Sequence, residues 1–155
     1  MAKTTHDADA LARWRGIVDR VHAALAGSPE LDRAAGDGSM TLREHVHHIV
    51  EANVVAASIV VAALGSPGTT YDWSWMLPFG PWMERLRYDT KPIEPALRLL
   101  EALNAWVAAQ IEAAPVVLGN EIRLRDQPGG ELRTVTLADV LRQEADHAEH
   151  HLAAK

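Results

Sequence analysis

Apolar residues recur at helical spacing in four stretches of the chain, and the segments between them set the expected architecture. Leu11, Trp14, Ile17, Val18, Val21 and Leu25 form one stripe, which predicts a helix from about Asp7 to Ala26, stopped by Gly27-Ser28-Pro29. A second helix starts at Thr41, where Glu44 completes a capping box, and runs to Leu64 before Gly65-Ser66-Pro67-Gly68. Its second half, residues 54–61, is apolar nearly all round, the pattern of a helix buried on most sides in a bundle or in a subunit interface. A third helix, from Pro92 or Ile93 to about Ala113, carries Leu97, Leu100, Leu103 or Asn104, Val107 and Ile111, and Pro115 closes it. The fourth starts at Thr136, with Asp139 as a weaker capping partner, and places Leu137, Val140 and Leu141 ahead of a histidine-rich end.

Two connections are long. Residues 66–91 hold Tyr71, Trp73, Trp75, Phe79 and Trp82 with Pro78 and Pro81, and a link of this length is usually functional or partly ordered. Residues 116–135 alternate in polarity on either side of Pro128-Gly129-Gly130, which predicts a small β-hairpin or an extended crossing. The expected fold is all-α: a four-helix bundle in a single domain over residues 1–155, with a long crossover between helices two and three and a small hairpin before helix four.

Composition narrows the chemistry. The net charge of −6, with no basic stretch to override it, argues against a nucleic-acid-binding surface. There is no cysteine, which excludes disulfides, cysteine-ligated zinc and a protein thiol nucleophile, and fits a reducing cytoplasm. The polar start of the chain does not read as a signal peptide. The most hydrophobic stretch, Val54 to Leu64, falls short of the ~18 apolar residues of a membrane span, so a soluble cytoplasmic protein is expected.

Histidine is where the sequence points to function. Six of the eight histidines lie in two clusters, His45-Val46-His47-His48 and His147-Ala148-Glu149-His150-His151. Helix geometry sorts them. In the second helix His45 and His48 flank the inner face and His47 falls opposite. In the fourth, His147 and His151 lie four apart on the Val140 side while His150 swings outward. Imidazole is the commonest side-chain metal ligand, and an i, i+4 pair joined by His48 from a packed helix makes a three-ligand site with room for water or substrate.

Two other readings stay open at this point. In one, the histidines are polar boundary residues that bind nothing; in the other, metal only staples helices in a non-catalytic module. Glu44-x-x-His47 and Glu144-x-x-His147 also match the Glu-x-x-His spacing of di-iron bundles, but the first helix offers no inward Glu and Glu44 and His47 face outward. Glu144 and Glu51, each one turn from a histidine, either orient an imidazole, act as a general base or are surface carboxylates. Trp73, Trp75 and Trp82 either wall a pocket or, as preferred, cap one end of the bundle or fill a dimer interface. Asn104 and Trp106 read as packing residues, and His6 and His22 carry no signal.

The segment Thr41-Leu42-Arg43-Glu44-His45-Val46-His47-His48-Ile49-Val50-Glu51 resembles the second-helix motif of the DinB-like superfamily, especially its YfiT-like metal-dependent hydrolases and thiol S-transferases. Asp146-His147-Ala148-Glu149-His150-His151-Leu152 resembles the motif of that family's final helix. The resemblance implies a four-helix bundle, frequently a homodimer, with a divalent metal, zinc or nickel, held by His48, His147 and His151. It implies a small-molecule substrate and either water or a low-molecular-weight thiol activated at the metal. Since the chain lacks cysteine, that sulfur must arrive on a cosubstrate such as glutathione, mycothiol or bacillithiol. Asn53 stands where some relatives carry a further histidine or polar residue, so a fourth ligand is not implied.

Overall fold

The computed structural model describes residues 2–28, 30–34 and 39–153, with side chains from residue 9 onward; Pro29 of the expected helix stop and the side chain of His6 lie outside them. Four long helices carry the fold: α1 (Ala2–Ala26), α2 (Leu42–Gly65), α4 (Ile93–Ala113) and α5 (Leu137–Ala153). Between them lie a short helix α3 (Phe79–Leu86) and three strands, β1 (Thr70–Asp72), β2 (Glu121–Arg125) and β3 (Arg133–Thr136). α1 begins earlier than apolar spacing suggests, and the other three long helices keep their expected bounds within a residue or two.

Each of α1 and α2 packs against both α4 and α5, so the consecutive helices α1 and α2 sit on a diagonal of the bundle. α1 buries Ala10, Trp14, Ile17, Val21 and Ala24, an alternating three- and four-residue stripe. Opposite it stand Leu100, Val107 and Ile111 of α4 and Leu137 and Leu141 of α5. One polar pair is sealed into this core. Asn104 Nδ2 donates to the Trp14 carbonyl (2.6 Å) and Trp14 Nε1 donates to the Asn104 carbonyl (3.2 Å), which locks α1 to α4 with every strong donor matched. Trp106 departs from the packing reading: it is 43% exposed.

α2 is long and apolar enough to cross a membrane by length and composition, which the shorter Val54 to Leu64 count does not suggest. Half of that window is buried, with Ala56, Ile59, Val60 and Ala63 in the core, so its hydrophobicity is that of a central bundle helix. Burial is less complete than expected, since Val54 and Val61 stay exposed.

The extended elements go beyond the expected hairpin. β2 and β3 pair antiparallel, with Ile122 opposite Val135, and Gly129 supplies the left-handed residue (φ 69°) in their turn. β1, from the crossover, joins the other edge of β2 in parallel, giving a three-stranded sheet in the order β1-β2-β3. Strand β1 has no local signal because its partner lies about fifty residues away. Helix α3 hides behind its prolines: Pro78 is its cap and Pro81 falls in the first turn, where a missing N–H costs nothing.

The start of α5 follows the expected capping pair. Thr136 N–H and Oγ1–H donate to Asp139 Oδ2 (2.9 and 2.7 Å), and Asp139 N–H donates to Thr136 Oγ1 (3.2 Å). Burial acts to raise the Asp139 pKa, but hydrogen bonds from Thr136 and Arg142 outweigh it and hold the carboxyl below its ordinary value. A carboxyl depressed in the fold stabilises above its unfolded pKa, and that contribution fades as pH falls through the folded value. Asp139→Ala is expected to cost about 1 kcal/mol in urea unfolding at pH 7, as capping side chains do, and measurably less at pH 3.

Candidate metal centre

α5 is turned by what it packs against. Ala138, Leu141, Ala145 and Ala148 are buried, while Arg13 and Arg20 of α1 pair with Asp146 and Glu149 on its outer side. That rotation leaves Val140, Glu144, His147 and His151 facing α2. On α2 the capping box fixes the first turn, and His45 and His48 come round toward α5.

The three sequence-derived histidines meet. Ring nitrogens of His48, His147 and His151 all lie within 4.8 Å of one another. His48 Nε2 and His147 Nε2 are 3.1 Å apart, and the rings of His48 and His147 each lie 4.5 Å, centroid to centroid, from that of His151. Two imidazoles bonded to one tetrahedral cation would place their nitrogens about 3.3 Å apart, given bonds of ~2.0–2.1 Å. Burial first, then the neighbouring His147, His48 and His45, hold the His151 pKa down at about 3, which keeps that ring neutral.

Proton bookkeeping around the rings fits a cation. Glu144 Oε1 lies 3.2 Å from His147 Nδ1, so the carboxylate accepts and the proton sits on Nδ1. The His147 Nε2 lone pair then points at His48 Nε2. Without a cation, His48 must donate across that gap, which strips its own Nδ1 of a proton. His48 Nδ1 is in fact buried with no hydrogen-bond partner, and so is Glu51 Oε2, 3.8 Å away. A cation at the two Nε2 atoms would return the His48 proton to Nδ1, facing that carboxylate. The two orphaned atoms are then each other's complement.

Glu51 is also held from outside. Trp82 Nε1 donates to its Oε1, and the Tyr88 hydroxyl, its pKa raised by burial and then by Glu51, faces the same carboxylate. Glu144 Oε1 takes a second donor, Asn53 Nδ2, at 3.3 Å. Both glutamates are therefore nearly enclosed, with side chains 11% and 14% exposed, and the surface reading of these residues does not hold. Asn53 contacts Glu144 and Ile49. His45 Nδ1 meets His151 Nδ1 at 3.0 Å, in keeping with its place on the flank of the inner face of α2.

His47 corrects one expectation. It faces away from the core, as the helical wheel indicates, yet it is buried, stacked on Tyr88 at 5.0 Å with Lys91 O beside its Nε2. Burial lowers its pKa. Glu44 accepts from Thr41 N–H at 2.7 Å as part of the cap. The Glu44/His47 pair is thus engaged elsewhere, and a di-iron arrangement has no support.

A cavity of about 230 Å³ opens from His48 and His147 and runs between α2 and α5. Trp73, Met76 and Phe79 from the crossover wall one side, with Leu124 of β2. The preferred end-cap reading of the tryptophans is therefore wrong for Trp73. Trp75 stands 59% exposed and Trp82 serves Glu51 instead.

The family model of the DinB superfamily matches residues 19–154. A protein of Geobacillus thermodenitrificans named "Putative metal-dependent hydrolase" is 27% identical over 147 residues, covering 92% of this chain and 78% of its own. A similarly named protein of Geobacillus kaustophilus is 26% identical over the same shares of both chains. Among solved structures, YfiT from Bacillus subtilis, described as "a probable metal-dependent hydrolase with an unusual four-helix bundle topology", matches with a TM-score of 0.76 at 19% identity, over 96% of this chain and 82% of that one. Sharing that fold and matching the family model over most of its length, the chain belongs to the DinB superfamily.

Proposed function

We propose that the protein is a metal-dependent hydrolase of a small-molecule substrate, with His48, His147 and His151 as ligands of one divalent cation, zinc or nickel. The observation that carries this reading is the 3.1 Å approach of two imidazole nitrogens beside a buried His48 Nδ1 and Glu51 Oε2 that lack partners. When bound, such a cation supplies Lewis acidity, bringing the pKa of a water in its remaining position toward neutrality and polarising a carbonyl.

The chain's own groups prepare the site. Glu144 keeps the His147 proton on Nδ1, and Glu51, held by Trp82 and facing Tyr88, stands 3.8 Å from His48 Nδ1, where it would do the same once a cation occupies Nε2. The apolar walls beside the histidines exclude bulk water from a bound substrate. The reading extends to one domain over residues 1–155 and to a cytoplasmic homodimer, for which exposed Val54 and Val61 supply an apolar face; light scattering tests the dimer.

The test is a panel of esters and amides, run with chelated protein and with protein reloaded with zinc or nickel. Turnover is expected to vanish on chelation and return with one equivalent of metal. The same panel with an added low-molecular-weight thiol separates hydrolysis from thiol transfer: rates that require the thiol move the activity to S-transfer. Stoichiometric metal with no turnover in any arm overturns the catalytic reading and leaves a structural metal site. Glu144→Ala is expected to weaken zinc binding by about 10- to 100-fold, the usual cost of losing a carboxylate behind a ligating imidazole. Isothermal titration calorimetry reads it.

A further inference from the structure

The cavity beside the histidines has a shape that follows from sequence spacing. On α2 its wall is His48, Ala52, Ala56 and Ile59, one stripe along the helix; on α5 it is His147, Glu144 and Val140, running the opposite way. The two stripes therefore border an elongated slot with the imidazoles at one end and aliphatic side chains at the other. Ala52 and Ala56 make the room, since each puts only a methyl group where a core helix usually carries a branched chain. At 1.5 Å per residue the α2 stripe spans about 16 Å.

Chemistry along the slot is graded. Polar groups gather at the histidine end, where Glu144 stands, and the walls beyond are Val55, Ile59, Met76 and Val140. Arg133 also borders the slot, but its guanidinium is matched by Asp126 at 2.8 and 3.0 Å and reaches Gln143. An anionic tail would find no unmatched cation among the described lining residues and would end among aliphatic side chains. An engineered apolar cavity of ~150 Å³ holds benzene, so about 230 Å³ takes a chain or ring group of about six to nine carbons.

We infer that the slot between α2 and α5 is a substrate-tail subsite: the substrate is a neutral compound with an apolar group of about six to nine carbons, attached to a hydrolysable carbonyl group that reaches the histidines. This rests on the reading of those histidines as metal ligands. The tail packs against Ala52, Ala56 and Ile59, and the head lies at the cation. Small hydrophilic compounds bind by the head alone.

The experiment titrates zinc-loaded protein with straight-chain hydroxamates from acetyl to dodecanoyl, a chelating head on a tail of variable length. Affinity is expected to rise about four-fold per methylene, to peak near eight carbons and to stop rising beyond. A hydroxamate with a carboxylate at the tail end should bind at least ten-fold more weakly than its neutral counterpart. Ala52→Phe should weaken the octanoyl compound at least ten-fold and leave acetohydroxamate within about two-fold; Val55→Phe is the second variant should the first not fold. A flat length dependence, or a variant that weakens head and tail compounds equally, overturns the subsite. Failure of the metal reading shows differently, as acetohydroxamate binding that is indifferent to zinc. In that case octanamide, which lacks the chelating head, still reports on the slot: binding that Ala52→Phe abolishes supports it, and no binding overturns it.

Discussion

His147→Ala is expected to yield a folded protein whose zinc affinity is lower than the parent's by more than about 100-fold, a larger loss than removing a supporting carboxylate. His147 lies at the meeting point of three effects. Its Nε2 is 3.1 Å from that of His48, its ring is 4.5 Å from that of His151, and its Nδ1 holds Glu144. Truncation removes one donor and leaves Glu144 without the imidazole it orients. The fold should survive, because the side chain is 31% exposed and packs at the rim of the bundle. His150→Ala is the internal control, since that ring is exposed and lies outside the three-histidine cluster, edge-on to His151 at 5.6 Å. Metal content after dialysis and calorimetric titration read both variants. Parent-like zinc binding by His147→Ala, or an equal loss in His150→Ala, would place the metal elsewhere.

The largest stability effect is expected at Trp14. The side chain is fully buried, and its indole N–H donates to the Asn104 carbonyl while its own carbonyl accepts from Asn104 Nδ2. Trp14→Ala opens a cavity between α1 and α4 and removes one half of that reciprocal pair. The cost is about 3–5 kcal/mol, the range for truncating a large aromatic core residue. For a chain of this size that lowers Tm by roughly 10 °C or more. Trp14→Phe keeps much of the buried aromatic area while losing the donor and part of the ring, so it should cost markedly less. Guanidinium unfolding of the three proteins checks the order; a loss under 1 kcal/mol for Trp14→Ala would show that α1 contributes little to the core.

These two sites differ in how far the sequence discloses them. His147 and His151 advertise themselves by spacing on one helix, and His48 by its place on the inner flank of another. Trp14 shows only as one member of an apolar stripe. Its partner Asn104 reads as an ambiguous alternative to Leu103, since the bond between them joins residues far apart in the chain. Glu51 is similar. Spacing puts it one turn from His48, but its enclosure depends on Trp82 and Tyr88, which arrive from a crossover with weak local preferences. Helical spacing turns His47 outward, and the same crossover buries it.

Local interactions reach only a few residues along the chain. That range was enough for the four long helices, for the caps at Thr41 and Thr136, and for which imidazoles share a face. Strand β1, the diagonal placement of α1 and α2, the carboxylates behind the rings and the slot with Trp73 on its wall were decided by tertiary structure alone. Each needs two segments brought together from distant parts of the chain, and the free energy that joins them comes from burial of the assembled whole, which no local window of sequence carries.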